Sequence, residues 1–375
     1  MGKNKKKIVF VYNSASYLYN FRLSLMLSMR KRGWEVMAVS PYDNFASKFR
    51  DNGISYLDFP FKRKGRNPLS DLWMLIRLVK FYNREKPIIV HHFTIKPVIY
   101  GTLAARICRI PGIVNLVPGL GFVFSHGGLI QKIVESMYRF SLSARVRMIF
   151  QNIDDLNFFV KRKLINPKQT HLICGSGINT KLYSLNKYPQ DNIPADIIFT
   201  LVARMLWDKG ISEFVKAAQL VNKKNPHTRF LLIGDPDRGN PTSIPVSWLK
   251  NLQNLNYIKW IKHTDDIKPY LAKSSVIVLP SYREGAPRSL IEAASMSKPI
   301  IAADVPGCRE IVKSNVNGLL VPKKNITLLA KAMLTLADNP SQRRKMGLAS
   351  REIALKCFDE RLINRKTIKI YRELR

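Results

Sequence analysis

The sequence predicts an α/β protein made of two similar domains, each built on a parallel sheet, with a deep cleft between them. Three observations predict this fold. Short apolar runs alternate with helix-period segments from one end of the chain to the other. The length of 375 residues fits two domains of about 150–200 residues each. A loop-rich stretch at 179–196 separates the two halves, and the alternation restarts after it.

The first half contains seven apolar runs with the length of buried strands. They are residues 8–12, 35–40, 54–58, 88–91, 113–117, 148–151 and 171–174. The clearest segments of helical periodicity between them are 21–31, 69–82, 97–108 and 128–143. We therefore expect a first domain over residues 1–190.

The second half repeats this pattern with six further runs. They are residues 197–202, 229–233, 257–260, 276–279, 299–302 and 318–321. Helices are expected at 211–222, after residue 284, and in three closing segments that start near residue 326. A second domain is accordingly predicted over residues 191–355.

The composition excludes several classes of protein. With 46% apolar and 23% charged residues, the chain is globular rather than disordered. No apolar run reaches the ~18–20 residues that span a bilayer, and the basic N-terminus is expected to lead into the first strand rather than to form a signal peptide. The four cysteines lie far apart without CxxC spacing, which predicts neither a zinc site nor a disulfide framework and indicates a cytoplasmic location.

The net charge of +36 predicts an affinity for polyanions, either nucleic acid or anionic lipid, unless it only reflects a lysine-rich composition. Residues 1–190 hold 31 basic and 9 acidic side chains. A basic loop and an amphipathic stretch at 128–142 favour lipid, although that stretch also fits a core helix. The loop residues that we expect to face the membrane are Lys62, Arg63, Lys64 and Arg66.

Two glutamates, Glu284 and Glu292, follow the apolar run at 276–279, the second one on the opening turns of a predicted helix. Ligands of open parallel sheets bind at the carboxyl ends of the strands. The two carboxylates are therefore predicted to contact different parts of one bound molecule. Two solvated acids are the alternative, because this spacing also occurs by chance.

Two cations, Arg204 and Lys209, lie in the connection after the run at 197–202. Fixed cations beside a helix N-terminus suit a diphosphate and stabilise it as a leaving group. Two surface cations of a very basic protein are the alternative interpretation.

A third segment, DVPGCRE at 304–310, also follows a strand, and its glycine is expected either to bring backbone N–H groups against a ligand or to form a plain turn. Phosphate-binding motifs of other types are excluded. The chain has no GxxxxGK followed by Ser or Thr, and no strand followed by GxGxxG. The PGLG segment at 118–121 lacks the third glycine, so we do not expect a dinucleotide site.

These motifs resemble those of a known family. The segments ARMLWDKG, EGAPRSLIEAASMSKPIIAADVPGCREIV and NGLLVP resemble the donor domain of the retaining glycosyltransferases of family 4. HFTIKPVIYGTLAARI and SGINTKLY extend the resemblance into the first half. The resemblance implies the GT-B fold, in which two Rossmann-like domains face each other across a cleft, and a last helix at 356–375 that packs back on the first domain.

The resemblance also implies roles for matching residues. Arg204 and Lys209 would bind the diphosphate of the donor in place of a metal, so that no metal and no cofactor are expected. Glu284 would lie at the donor sugar and the reaction centre, and Glu292 would accept hydrogen bonds from the ribose. The remaining donor-side candidates are Gly285, Ala286 and Arg288. The sequence departs here from the commoner EGFG start, and Arg288 is expected to add a phosphate contact.

YNFR, HFTIKP and PGLGFVF resemble the branch of the family that extends polyprenyl-diphosphate-linked oligosaccharides. This implies a UDP-sugar donor, often UDP-N-acetylgalactosamine, an undecaprenyl-diphosphate saccharide acceptor, and peripheral association with the inner face of the plasma membrane. Arg22, Lys96 and the 62–66 loop are the candidates for the acceptor diphosphate. His92 and His126 are candidates for the donor sugar or the acceptor hydroxyl, although a lone histidine is more often structural. The other acceptor-side candidates are Asn20, Gly119 and Gly121.

Three alternatives stay open at this point. A GDP-sugar transferase of the same fold would differ only in its donor. A non-hydrolysing sugar-nucleotide epimerase shares the two-domain architecture, but it needs further acid/base carboxylates in a first half that has only 9 acids. A polyanion-binding protein without catalysis would bind nucleic acid, which we do not expect, with a steep salt dependence.

Overall fold

A computed structural model of the chain describes residues 6–61, 68–120, 124, 128–142, 145–188, 196–237 and 239–374. The chain divides into two compact units. The first unit combines Met1–Gly177 with Glu360–Arg375, and the second unit is Ile178–Asp359.

The first unit contains a seven-stranded parallel sheet with the strand order β3-β2-β1-β4-β5-β6-β7. Its strands are β1 (Lys7–Val11), β2 (Glu35–Ser40), β3 (Ser55–Asp58), β4 (Ile89–Phe93), β5 (Gly112–Val117), β6 (Val146–Phe150) and β7 (Thr170–Leu172). All seven predicted apolar runs form strands, because a parallel sheet that is covered on both faces requires nearly continuous apolar sequence.

Helices cover both faces of this sheet. They are α1 (Ala15–Arg30), α2 (Ala46–Asp51), α3 (Pro68–Glu85), α4 (Thr102–Ile107), α5 (Leu129–Ser141), α6 (Ile153–Lys161) and the last helix of the chain, α14 (Glu360–Glu373). A π-helical segment, Pro97–Gly101, leads into α4. Side chains of α3, α4, α5 and α6 form one buried cluster with the sheet, and side chains of α1, α2 and α14 form another.

Local N-caps explain where two helices of the first unit begin. Helix α1 starts six residues before the predicted position, since the Ser14 hydroxyl accepts a hydrogen bond from the Tyr17 N–H at 3.3 Å. Helix α6, which the sequence analysis did not predict, starts after Asn152, whose side chain accepts a hydrogen bond from the Asp155 N–H at 2.8 Å.

The second unit contains a six-stranded parallel sheet with the strand order β10-β9-β8-β11-β12-β13. Its strands are β8 (Ile197–Val202), β9 (Thr228–Ile233), β10 (Ile258–Ile261), β11 (Val276–Leu279), β12 (Ile300–Ala303) and β13 (Gly318–Val321). Its helices are α7 (Ile211–Lys224), α8 (Val246–Asn251), α9 (Lys268–Lys273), α10 (Arg288–Ser295), α11 (Cys308–Ile311), α12 (Ile326–Asp338) and α13 (Pro340–Ile353).

The two compact units change at 177/178 and 359/360, several residues away from the predicted domain boundaries at 190/191 and 355/356. The chain enters the second unit at Ile178, whose N–H donates to the carbonyl of Phe358 at 2.8 Å. The carbonyl of Tyr183 then accepts hydrogen bonds from the Ser295 hydroxyl and the Arg351 guanidinium at 2.7 and 2.9 Å. These contacts place the start of the loop-rich stretch in the second unit.

The last helix belongs to the first unit, as the family resemblance implied. The Tyr371 hydroxyl lies 2.6 Å from His91 Nδ1, and the Asn364 amide donates to the Ser24 hydroxyl at 2.9 Å. Residues 356–359, however, remain with the second unit. Among the described residues, we find no helix that combines the length and the apolar content required to cross a bilayer.

Candidate active site

The predicted donor-side residues follow two strands that pair in the middle of the second sheet. Strand β11 pairs with β8, while β9 flanks β8 on its other side. From β8 the chain continues to β9, and from β11 it continues to β12, which lies on the opposite side of the pair. This divergence opens a crevice at the carboxyl ends of β8 and β11. Arg204 and Lys209 follow β8, and Glu284 follows β11.

Lys209 and Glu284 form an ion pair at this position. Lys209 Nζ lies 2.5 Å from Glu284 Oε1, and the two side chains are only 17% and 12% exposed. Gly210 makes this approach possible, because its backbone is left-handed (φ +72°) and a Cβ atom would lie 2.2 Å from the carbonyl oxygen of Pro280. The loop after β8 thus packs directly on the end of β11.

The DVPGCRE segment packs against the loop that follows β11. Gly307 has a φ of +80°, and a Cβ atom there would lie 2.5 Å from the carbonyl oxygen of Gly285. Helix α11 begins at Cys308 and has only four residues, and Arg309 pairs with Asp304 at 2.5 Å. The segment is therefore a turn that fits closely against Glu284 and Gly285, whereas the sequence analysis left a ligand-facing role open.

The second predicted carboxylate, Glu292, lies on helix α10. Its Oε1 atom accepts a hydrogen bond from Arg288 Nε at 2.8 Å, one helical turn away, and both side chains are largely buried. Burial alone would lower the pKa of Arg288, but the Glu292 carboxylate more than offsets this, so that the pKa is raised. Arg288 remains a cation beside Glu292.

The sequence analysis missed Tyr183 as a site residue. Its hydroxyl interacts with both Glu292 and Arg288, and burial followed by the Glu292 charge raises its pKa above the ordinary value. A tyrosine near a domain boundary gives no signal of this contact in one sequence, although it lies in the SGINTKLY segment that carried the resemblance.

Arg204 pairs with Asp237, at a distance of 2.8 Å between Nη1 and Oδ2, and its side chain is 43% exposed. Asp237 is one of the residues that line a cavity of about 550 Å³ at the carboxyl ends of β9 and β10. The other lining residues include Asp235, Trp260 and Lys262. The sequence analysis did not predict this cavity.

The candidates of the first unit do not converge in the same way. Lys96 Nζ donates to Asp71 Oδ1 at 2.7 Å, and Arg22 is buried with its Cζ atom 4.9 Å from the centre of the Phe93 ring. Asn20 is exposed on α1, and Gly119 is half-buried after β5. The candidates that lie outside the described residues are Lys62, Arg63, Lys64, Arg66, Gly121 and His126.

His92, which was predicted to contact a ligand, lies in the core of the first unit. His92 is fully buried, and its two ring nitrogens are hydrogen-bonded to the Tyr82 hydroxyl at 2.8 Å and to Asn115 Oδ1 at 2.9 Å. A Cβ atom on Gly101 would lie 2.5 Å from the ring, so the helix backbone covers the imidazole closely. Burial lowers the pKa of His92 to about 4. It is a neutral core histidine.

The metal prediction was that no ion is needed. Within the part of the chain that the structure describes, there is no group of three or more His, Cys, Asp or Glu side chains that could hold one.

Comparison with known proteins gives two family matches. Residues 186–353 match the family model "Glycosyl transferases group 1", and residues 7–152 match "Glycosyl transferase 4-like". The chain is 28% identical to the N,N'-diacetylbacillosaminyl-diphospho-undecaprenol alpha-1,3-N-acetylgalactosaminyltransferase of Campylobacter jejuni, over 97% of this chain and 98% of that protein. It is 26% identical to the UDP-Gal:alpha-D-GlcNAc-diphosphoundecaprenol alpha-1,3-galactosyltransferase of Escherichia coli, over 78% and 77%.

The fold is similar to that of Anabaena HepE, which was solved in complex with UDP and glucose. The TM-score is 0.80 at 19% identity, and the match covers 97% of this chain and 98% of that one. A glycosyltransferase from Rickettsia africae gives the same TM-score at 18% identity, over 99% of both chains. Together these findings confirm the family resemblance and the predicted α/β fold with two parallel sheets.

Proposed function

We propose that this chain, which belongs to the group 1 and 4-like glycosyltransferases and is therefore a hexosyltransferase, moves a hexose or N-acetylhexosamine from a UDP-sugar to a saccharide on undecaprenyl diphosphate. N-acetylgalactosamine is the first choice of sugar, transferred with retention of configuration. Such a reaction serves the assembly of a surface polysaccharide, an O-antigen or a protein-linked glycan.

The observation that carries this proposal is the Lys209–Glu284 ion pair at the crevice between β8 and β11. A donor diphosphate in this crevice competes with Glu284 for Lys209 and with Asp237 for Arg204. The two cations then neutralise the negative charge that develops on the leaving UDP. Since they act where many enzymes use a metal ion, transfer should persist in the presence of a chelator such as EDTA.

Glu284 positions the donor sugar in this scheme. Its carboxylate is held at the end of β11 by Lys209 and by the close packing of Gly307 on its loop. A carboxylate fixed in this way accepts hydrogen bonds from sugar hydroxyls and contributes to the electrostatics of the reaction centre. We assign it no covalent step.

Glu292 accepts hydrogen bonds from the ribose of the donor. Arg288 and Tyr183 hold this largely buried carboxylate in place, with 11% of the Glu292 side chain exposed. We propose that the cavity beside Asp237 binds the nucleobase of the donor, with Trp260 as an apolar wall and Lys262 as a hydrogen-bond donor. Sugar specificity would then depend on the 284–288 loop, and nucleotide specificity on this cavity.

The relatives support the choice of donor and acceptor. The Campylobacter jejuni protein is named as an N-acetylgalactosaminyltransferase that acts on a diphospho-undecaprenol saccharide, and it matches this chain over nearly its full length. The Escherichia coli protein is named for a UDP-sugar and a diphosphoundecaprenol acceptor.

The experiment is a thermal unfolding series of the full chain with a panel of UDP- and GDP-sugars. At about 100 times Kd, a donor adds about 2.7 kcal/mol to the stability of the unit that binds it. We expect one UDP-sugar to raise the unfolding temperature and Glu292→Ala to abolish the rise. Protection by a GDP-sugar alone would overturn the donor class, and protection by none would overturn the proposed site. Transfer of the protecting sugar to an undecaprenyl-diphosphate saccharide then tests the acceptor.

A further inference from the structure

We infer that the exposed apolar side chains in the first turns of α3 and α5 insert into an anionic lipid bilayer and thereby present the first unit to its lipid-linked acceptor. The inference rests on the proposed function, because a diphosphate-linked polyprenyl acceptor lies in a membrane. It assigns the membrane contact to described residues outside the 62–66 loop.

Helix α3 has two apolar faces. One face is buried in the first unit through Met74, Leu78, Phe81 and Tyr82. The other face carries an exposed stripe with the spacing i, i+3, i+4 and i+7: Leu69 (76% exposed), Leu72 (53%), Trp73 (56%) and Ile76 (45%). A helix on a water-facing surface normally carries polar residues at these positions.

Helix α5 repeats this arrangement. One face of the helix is buried in the core through Tyr138, as the core-helix interpretation of this stretch expects. A second apolar face is exposed. Its members in the first turns are Leu129 (73% exposed), Ile130 (41%) and Ile133 (51%). The core-helix interpretation of the 128–142 stretch therefore describes one face of α5, and the lipid interpretation stays a prediction for the other.

The charges on the two helices favour anionic lipid. The acids of these two helices are Asp71, Glu85 and Glu135. All three are largely buried and paired: Asp71 with Lys96 at 2.7 Å, Glu85 with Lys7 at 2.7 Å and Glu135 with Arg162 at 3.5 Å. The cations are exposed or half-exposed around the apolar stripes: Arg77, Lys80, Arg84, Lys132 and Arg139.

The two stripes lie on the same side of the sheet. Both helices contribute to one buried cluster, so they cover the same face of it. The Lys96–Asp71 contact fixes the first turn of α3 beside the carboxyl end of β4, and α5 follows the carboxyl end of β5. The exposed stripes therefore start at the edge of the sheet where open α/β folds bind their ligands.

A bilayer explains these features better than a second copy of the chain does. Pairing two such faces would bring Arg77, Lys80 and Lys132 against their counterparts, with no exposed carboxylate on either helix to neutralise them. Anionic headgroups neutralise these cations while the apolar side chains enter the acyl region. Arg77 already packs on Trp73, with Cζ 4.5 Å from the ring centre, as expected of a cation beside an interfacial tryptophan.

The test is co-flotation of the full chain with vesicles of phosphatidylglycerol and phosphatidylethanolamine, or of phosphatidylcholine alone. We expect binding to the anionic vesicles and at least a tenfold loss in the double variant Trp73→Ser/Ile133→Ser. Leu348→Ser is the matched control, since Leu348 is 59% exposed on α13 of the second unit. Equal binding of the double variant and the control would overturn the inference. Self-association that the double variant abolishes, without vesicle binding, would assign the surface to a second copy instead.

Insertion itself has a separate signature. Brominated lipids should quench part of the tryptophan fluorescence of the wild-type chain, and Trp73→Phe should remove that part while vesicle binding persists. Quenching that is unchanged in Trp73→Phe would contradict insertion at α3.

Transfer to a water-soluble, short-chain acceptor separates this inference from the proposed function. The double variant should retain that transfer, whereas an inactive wild-type chain would overturn the function and leave vesicle binding as an independent result.

Discussion

The Nζ atom of Lys209 lies 2.5 Å from Oε1 of Glu284, although 75 residues separate them in the chain. The contact joins the loops after two paired central strands, so it belongs to the core architecture of the second unit and not to a chance meeting of surface side chains. A cation and a carboxylate with little solvent access hold each other in place, and each one constrains where a substrate group can approach.

Lys209→Ala should lower the turnover of sugar transfer by ~10²–10³-fold, the scale on which a charge-stabilising donor acts. Lys216→Ala is the control, because Lys216 is exposed on the adjacent helix α7. Steady-state kinetics with the protecting UDP-sugar gives the measurement, and thermal unfolding shows whether both variants are folded. Near-normal turnover in a folded Lys209→Ala variant would exclude Lys209 from the leaving-group site.

Tyr183→Phe removes the hydroxyl that contacts both Glu292 and Arg288. The loss of such a buried hydrogen bond costs about 1–3 kcal/mol, so we expect donor KM to rise by roughly tenfold with little change in kcat. Tyr270→Phe is the control within the second unit. If kcat falls and KM stays constant, Tyr183 acts at the reaction centre and not through Glu292.

Gly210→Ala should disrupt the site, whereas Gly33→Ala should not. Both glycines have left-handed backbones, so alanine costs each of them about 1–2 kcal/mol. At Gly33 a Cβ atom meets nothing within 4 Å, but at Gly210 it would lie 2.2 Å from the carbonyl oxygen of Pro280. The β8 loop must then shift and carry Lys209 away from Glu284. We expect transfer to fall at least tenfold in Gly210→Ala alone, and equal activities of the two variants would refute the packing argument.

Stability should depend on pH through His92. Burial lowers its pKa to about 4, whereas a histidine in the unfolded chain titrates near ~6.5. Between these values the unfolded chain binds a proton that the folded chain does not. The contribution of the neutral His92 to the free energy of unfolding is therefore complete above about pH 6.5. Roughly 3 kcal/mol of this free energy is lost as the pH falls to about 4.

Denaturant unfolding between pH 7 and pH 4 measures this dependence. His92→Gln should flatten the slope by close to one proton, even if it lowers the stability at pH 7. His91, whose pKa is also lowered by burial, keeps part of the slope in that variant. His263→Gln, in which an exposed histidine is replaced, is the control. An unaltered slope in His92→Gln would mean that the imidazole is accessible in the folded chain.

The sequence predicted all 13 strands of the described residues, because parallel strands buried on both faces leave continuous apolar runs. Arg204, Lys209, Glu284 and Glu292 could be predicted as candidates, because each lies in a family motif that follows a predicted strand. The role of Tyr183 was not predictable, since its contact with Glu292 crosses more than 100 residues and leaves no local pattern. His92 also lies in a motif at a strand end, but this position did not indicate its surroundings. Its imidazole is hydrogen-bonded to Tyr82 and Asn115 and is covered by the backbone at Gly101.

The second unit begins and ends at one place. The N–H of Ile178 donates to the carbonyl of Phe358, and the hydroxyl of Thr180 lies 2.5 Å from the Asp359 carboxylate. In topological terms, residues 178–359 are an insertion whose two ends are joined by hydrogen bonds, while the first unit is a discontinuous host completed by the last 16 residues. We expect an insertion of this kind to be exchangeable between related chains at two adjacent cuts, and every donor-side residue proposed above would be exchanged with it.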